Sequence, residues 1–199
     1  MSAADPSARS ASRRRATKET RVECHLTLDG SGQAEVHTGL GFYDHMLSTL
    51  ARFSRFNLTL TCEGDLQVDD HHTAEDCALA LGECLNEALG DRRGLKRFGA
   101  AYAPLDEALA RAVVDLSGRP WPEVSLGLRR EQIGAIATEN LTHFFNSFAI
   151  AGRMSLHVDV LKGENDHHRA EAAFKALALA LRDAVAVEGA EIPSEKGIL

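Results

Sequence analysis

The segment "DDHHTAEDCALALGECL" at residues 69–85 is written a second time, as "NDHHRAEAAFKALALAL", at residues 165–181. A chain that places D-H-H-x-A-E twice at the head of an apolar helical pattern is built from two copies of one unit, and few folds meet that constraint. Setting Glu75 on Glu171 superposes the motifs at a shift of 96 residues. Upstream, "FYDHMLSTLARFS" (42–54) then falls near "NLTHFFNSFAIAG" (140–152), matching His45 to His143 at a shift of 98. The segments that follow, "RFNLTLTCEG" (55–64) and "RMSLHVDVLKG" (153–163), alternate apolar and polar residues as half-buried strands do. Further upstream, "TRVECHLTLDGSGQAEVHT" and "ALARAVVDLSGRPWPEVSL" each read as strand, glycine-containing turn, strand.

Each half is therefore expected to run strand, strand, helix, strand, helix. Strands interleaved with helices that each need one apolar face covered give a small sheet with two helices packed on one side. The expected class is α/β, of the α+β two-layer sandwich kind, internally duplicated. The expected organisation is a disordered leader over 1–15, a first half-domain over 16–92, and a second over 93–199 whose C-terminal tail is given a substrate-binding role by the family resemblance described below. "GDRRGLKRFGAAYAPL" (90–105) joins the halves. The leader, "MSAADPSARSASRRR", is rich in Ser, Ala and Arg but lacks an amphipathic stripe, which favours disorder over an organelle transit peptide.

A chain of 199 residues can bury a real core. Its net charge of −7 argues against a nucleic-acid partner, and no apolar run approaches the roughly 18 residues of a membrane span. Cys24, Cys62, Cys77 and Cys84 show no C-x-x-C spacing and no secretory leader precedes them. Reduced, buried thiols in a cytoplasmic protein are expected.

On the first motif helix, Ala74, Cys77, Ala78, Leu81, Leu85 and Leu89 form the core stripe. His71 and Glu75 stand four apart, one above the other near the helix start, and His167 and Glu171 repeat this. An imidazole and a carboxylate at that spacing can chelate one divalent metal. His72 and His168 lie about 100° round the helix and should not complete the same site. Symmetry suggests an exchange: one metal takes His71, Glu75 and His168, and its twin takes His167, Glu171 and His72. His45 and His143 add one nitrogen to each, leaving positions open for substrate. A histidine at a helix start is most often a cap or a surface group. Six of the nine histidines at duplicated positions, with two glutamates in chelating register, outweigh that reading. His25, His37 and His157 have no duplicated partner and acquire no role. Asp70 and Asp166 suit capping or support of the ligands.

The zincin order H-E-x-x-H, the nucleophile elbow G-x-S-x-G and the P-loop lysine motif are all absent. Ferritin-type Glu-x-x-His sites need four long helices, which this strand-rich pattern does not provide. A non-catalytic metal-binding shell and a dinuclear metallohydrolase with a bridging hydroxide both stay open. Basic residues add a second theme: Arg97 in "GLKRFG", Arg119 in "DLSGRPW", Lys175 one turn after Glu171, and Ser194 and Lys196 in "IPSEKGIL". Converging, such donors make a phosphate site; singly, each is an ordinary solvated charge. Periodicity alone does not show convergence.

Over about residues 13–199 the chain resembles the imidazoleglycerol-phosphate dehydratase family of histidine biosynthesis. The resemblance is carried by "RRATKET", "FYDHML", "DDHHTAEDCALALG", "RRGLKRFG", "PLDEALARAVVDLSGRP", "LTHFFNSFA", "NDHHRAEAAFKALALALRDA" and "IPSEKGIL". It implies a duplicated α/β fold and two Mn²⁺ ions held by His45, His71, His72, Glu75, His143, His167, His168 and Glu171. It also implies a 24-subunit homo-oligomer with active sites at subunit interfaces and a phosphorylated imidazole substrate. Glu19 of "TKET" matches the family's catalytic glutamate, which also contacts substrate. Arg97, Arg119, Lys175, Ser194 and Lys196 match its substrate and phosphate contacts. The chain departs from the family at Ala135 and Ala137, where acids are usual, in "HHRAEA", and at Glu195, where threonine is common; none of these is a ligand.

The implied reaction converts imidazoleglycerol phosphate to imidazole acetol phosphate and water. The proton lost is alpha to no carbonyl, so an enolate route is closed. Two metals can hold both ring nitrogens of an imidazolate, and that electron-rich ring can expel the adjacent hydroxyl to give a diazafulvene. Glu19 is the candidate for the next proton transfer, with a metal-bound water as its competitor.

Overall fold

The computed structural model describes residues 9–197. The first half comprises β1 (Ser10–Ala16), β2 (Thr20–Thr27), β3 (Ala34–His37), α1 (Gly41–Ser54), β4 (Asn57–Gly64) and α2 (His71–Ala88). The second comprises β5 (Phe98–Leu105), β6 (Ala108–Asp115), β7 (Trp121–Ser125), the short β8 (Gln132–Ile133) and β9 (Ile136–Ala137), α3 (Thr138–Ala151), β10 (Ser155–Lys162) and α4 (Asp166–Ala184). The sheets have matching orders, β1-β2-β4-β3 and β5-β6-β10-β7. In each, the last strand runs parallel to its neighbour and the others antiparallel. The fold is the duplicated α/β arrangement expected.

Three details differ from the pattern reading. The strand–turn–strand segments are not hairpins: β4 lies between β2 and β3, and β10 between β6 and β7. Each main sheet also has one strand more than expected, and the second half adds the short β8–β9 pair. Residues 10–15 of the supposed leader form β1 together with Ala16, paired along its whole length with β2. Ala11 is buried, Arg15 Nε lies 2.6 Å from Asp76 Oδ1, and Arg13 pairs with Glu83 and Glu87. The arginines that suggested a solvated leader instead lay charged tips on the acids of α2. Residues 1–8 of the leader lie outside the described residues.

The same correction applies to the joining segment, part of which is β5. Its composition, "FGAAYAPL", lacks the β-branched Val, Ile and Thr that mark strands and is more than half glycine, alanine and proline. The small residues serve packing, because α4 lies directly on β5. A side chain at Gly99 would collide with the Ala180 carbonyl, so only glycine admits the helix this closely.

Helices of one half pack on helices of the other, α1 on α4 and α2 on α3. The molecule therefore stacks sheet, helices, sheet. This explains why α2 buries Thr73, Asp76, Ala80, Gly82 and Cys84 besides the stripe that periodicity picked out. A Cβ on Gly82 would fall 2.8 Å from the Phe148 carbonyl oxygen, so α2 and α3 approach to backbone contact there. Where the four helices meet, Phe144 lies 4.9 Å from Phe174 and 5.9 Å from Tyr43, ring centre to ring centre. The Tyr43 hydroxyl donates to the Ala74 carbonyl at 2.9 Å, which satisfies the polar end of a fully buried ring. This aromatic hub touches every helix and fixes their relative positions.

The four cysteines are free and buried, as expected. Among the described residues no helix is long and apolar enough to cross a membrane.

Candidate metal centre

The duplicated histidines stand near the starts of the helices, and local chemistry places each start. Asn165 accepts the His167 backbone N–H at 2.9 Å to cap α4. Asp69 does the same for His71 at 2.6 Å. Asp70 and Asp166, the expected capping groups, hold loops instead. Asp70 accepts the Ala137 N–H at 2.8 Å, and Asp166 accepts the N–H groups of Arg129 and Arg130 at 2.7 and 2.6 Å.

Because α1 packs on α4 and α2 on α3, the histidines assemble across the halves. His45 joins His167 and Glu171, while His143 joins His71 and Glu75. In each group one donor atom per residue lies within 4.8 Å of the others. Glu171 Oε2 is 3.2 Å from the Nε2 atoms of both His45 and His167. Glu75 Oε1 is 3.3 Å from His143 Nε2, and its Oε2 is 3.9 Å from His71 Nε2. Nitrogens aimed at a shared carboxylate from two helices have the donor chemistry and spread of a divalent-cation site. His71 Nδ1 lies 2.9 Å from Oδ1 of buried Asn140, a partner that turns Nε2 toward the group.

His72 and His168 stand outside both groups within the chain. His72 Nδ1 contacts Asp65 at 3.2 Å and its Nε2 lies 3.8 Å from Glu19. His168 repeats this with Glu107 at 2.7 Å and Asp106 at 3.8 Å. The Asp65 hydrogen bond and the nearby Glu19 charge raise the His72 pKa, against partial desolvation. Glu107 raises that of His168 in the same way. Glu107 itself is pulled down to about 2, first by the Asn165 N–H, then by His168 and the Glu164 N–H. For Glu171, burial pushes the pKa up, but the hydrogen bonds from Lys175 and His45 outweigh it and the net shift is downward.

The basic residues divide. Arg97, Arg119, Ser194 and Lys196 line one open cleft of about 500 Å³, together with Phe98, Pro193 and Glu195. Arg97 is not a free cation there: it forks onto Asp115 at 2.7 and 3.1 Å and donates to the Pro193 carbonyl at 2.8 Å. Lys175 stands apart from this cleft, with Nζ 2.7 Å from Glu171 Oε1. Glu19 sits half-exposed in the β1–β2 turn beside His72. Asp65, Glu107 and Asn140 went unnoticed in the sequence. A signal existed for one of them, since Glu107 directly precedes β6 as Glu19 directly precedes β2.

The family model described as imidazoleglycerol-phosphate dehydratase matches residues 38–181. The chain belongs to the imidazoleglycerol-phosphate dehydratase family. An imidazoleglycerol-phosphate dehydratase of Candida glabrata is 52% identical, over 94% of this chain and 98% of the relative. One of Phytophthora nicotianae is 58% identical over 93% of this chain, which spans only 41% of that longer relative. The crystal structure of the Staphylococcus aureus imidazoleglycerol-phosphate dehydratase superposes with a TM-score of 0.79 at 34% identity, covering 89% of this chain and 99% of that one. Imidazoleglycerol-phosphate dehydratases are metal-dependent hydro-lyases of histidine biosynthesis that act on a small phosphorylated imidazole, and this chain is an enzyme of that class. The "HHRAEA" departure from the family pattern also finds its reason here. Arg169, nearly buried, donates to the carbonyls of Leu126 and Gly163 and ties two loops to the start of α4.

Proposed function

We propose that the chain converts imidazoleglycerol phosphate to imidazole acetol phosphate with two Mn²⁺ ions, in a cytoplasmic 24-subunit assembly whose sites lie between copies. The observation that carries the reading is the pair of interleaved donor groups, each with two imidazoles and a carboxylate drawn from both half-domains, which divide near residue 92. Three donors of this kind suit a first-row divalent ion and leave further positions. One of those is taken by His72 or His168 of a neighbouring copy, because these rings turn away from their own chain's groups. Bound there, the ions would hold the substrate ring as its imidazolate and so favour loss of the adjacent hydroxyl by way of a diazafulvene.

The protein's own groups do the rest. Glu19, on a turn beside His72, takes the proton from the carbon next to the one that loses the hydroxyl, giving an enol that tautomerises to the ketone. Arg119, Lys196 and Ser194 hold the phosphate in their cleft, and Arg97, fixed on Asp115, completes the positive edge. Lys175 keeps Glu171 ionised and oriented as a ligand. The test is direct: metal-stripped protein is mixed with imidazoleglycerol phosphate, with and without added Mn²⁺, and assayed for an enolisable ketone and for inorganic phosphate. Ketone that appears only with metal supports the reading. Phosphate without ketone would indicate a metallohydrolase, and neither product a metal-binding shell.

A further inference from the structure

His72 and His168 lack the support that their neighbours have. The histidines of each donor group face a glutamate of that group, whereas these two face away and must keep their aim with no ligand partner from their own chain. Each is held instead at its other ring nitrogen. His72 Nδ1 lies 3.2 and 3.3 Å from the two oxygens of Asp65, and His168 Nδ1 lies 2.7 Å from Glu107 Oε2. A carboxylate only accepts, so each Nδ1 donates, and in the neutral ring the lone pair is left on Nε2.

Both residues are themselves anchored, Asp65 by its backbone and Glu107 by its carboxylate. The Asp65 backbone N–H donates to the Glu19 carbonyl at 3.1 Å, which ties it to the β1–β2 turn. Glu107 Oε1 accepts the N–H groups of Glu164 and Asn165 at 3.1 and 2.9 Å, which ties the β5–β6 turn to the start of α4. The two supports are not duplicates of each other. Asp65 follows β4, while Glu107 precedes β6, so the two halves reach one arrangement from different places in the fold.

We infer that Asp65 and Glu107 are positioning residues that hold His72 and His168 as Nδ1–H tautomers with Nε2 aimed out of the chain, toward the donor groups of a neighbouring copy. The inference rests on the two-site reading above. A carboxylate behind a ligating imidazole typically changes metal affinity ten- to a hundredfold.

The experiment is a Mn²⁺ titration of chelator-stripped, full-length protein by calorimetry and electron paramagnetic resonance, on wild type, Asp65→Asn and Glu107→Gln. The metal-free melting temperature of each is measured alongside. Glu107→Gln keeps its size and an oxygen for the Glu164 and Asn165 N–H groups, so its NH₂ faces Nδ1 and reverses the tautomer, while Asp65→Asn keeps its size and removes the charge behind the ring. Each variant is expected to weaken one of the two sites about ten- to a hundredfold and to leave the other at wild-type affinity, a selectivity that a general loss of stability would not produce. Wild-type titrations in both variants would overturn the inference. Equal weakening of both sites together with a lowered metal-free melting temperature would also overturn it, by assigning these residues a structural role. A wild type that takes up no metal would overturn the two-site reading, and the inference with it.

Discussion

Glu171→Gln keeps the size of the side chain and an oxygen donor while removing one charge from a donor group. Glu171 Oε2 lies 3.2 Å from His45 and His167, and Oε1 lies 2.7 Å from Lys175 Nζ. Its twin Glu75 faces His143 and His71 in the same way but pairs with no lysine among the described residues. The two glutamates share one task and differ in another. Either Gln variant should lower metal occupancy and nearly abolish turnover at saturating substrate. A lost charge-assisted contact of about 1.5–3 kcal/mol corresponds to roughly ten- to a hundredfold in affinity. Only Glu171→Gln also removes the counter-charge of Lys175, whose side chain is 16% exposed and lies 5.5 Å from the ring centre of Phe53. Exchanging that cation's charged acceptor for a neutral amide oxygen costs about 1–1.5 kcal/mol, the difference between a charge-assisted and a neutral hydrogen bond, or about 2–6 °C of melting temperature in a chain of this size. Glu75→Gln should melt close to wild type. Metal content after dialysis against limiting Mn²⁺, steady-state kinetics, and thermal melts of the chelated proteins separate the two effects. Full metal and full rate in Glu171→Gln would refute the donor-group assignment. Equal melting temperatures for the two chelated variants would refute the role given to Lys175.

If each donor group takes a histidine from another copy, as proposed, chelation should shrink the assembly and Mn²⁺ should restore it; an unchanged size by light scattering, with metal confirmed absent, would sink that expectation. The pH response should have opposite signs with and without metal. His72 and His168 have raised pKa values in the metal-free chain, so their contribution is complete below the unfolded value of about 6.5 and is lost as pH rises through the folded values. Chelated protein should therefore melt higher as pH falls toward 6, whereas loaded protein should lose metal and activity together below roughly pH 6 as protons displace the ion. Activity lost in acid with metal content intact would point to the substrate or the base. Lys196→Ala should chiefly raise KM, by roughly ten- to a hundredfold for a contact of about 1.5–3 kcal/mol; unchanged kinetics would remove the tail from the phosphate cleft.

The histidine groups were legible because a helix sets the spacing of His71 and Glu75, and a duplication shows which positions repeat. Which histidine joins which glutamate was not legible, since that depends on α1 crossing to α4 and α2 to α3. Asn140, Asp65 and Glu107 stayed hidden for the same reason: each meets its histidine through tertiary packing. The strands β1 and β5 were missed because both are edge strands with weak local signals. One carries arginines over α2, and the other carries glycine and alanine under α4. In both, the neighbouring helix overrides what composition suggests.

The duplication also separates the proposed anion cleft from the arginine clamp on which it is built. Arg9 stands just before β1 as Arg97 stands just before β5. Arg9 forks onto Asp29 at 2.9 and 2.6 Å and donates to the Val185 carbonyl at 2.7 Å. Arg97 forks onto Asp115 and donates to the Pro193 carbonyl at 2.8 Å. In both halves the arginine pins the start of an edge strand to the chain that follows α4. Only the second copy lies beside Arg119, Ser194 and Lys196. The cleft is thus built onto a structural clamp that the repeat already contains, and the tail supplies what distinguishes it. Arg97→Ala would release β5 and the tail as well as remove a charge, so its effect on substrate affinity would mix two causes. Lys196 forms no ion pair among the described residues and caps no strand. Its removal therefore reports on the phosphate alone.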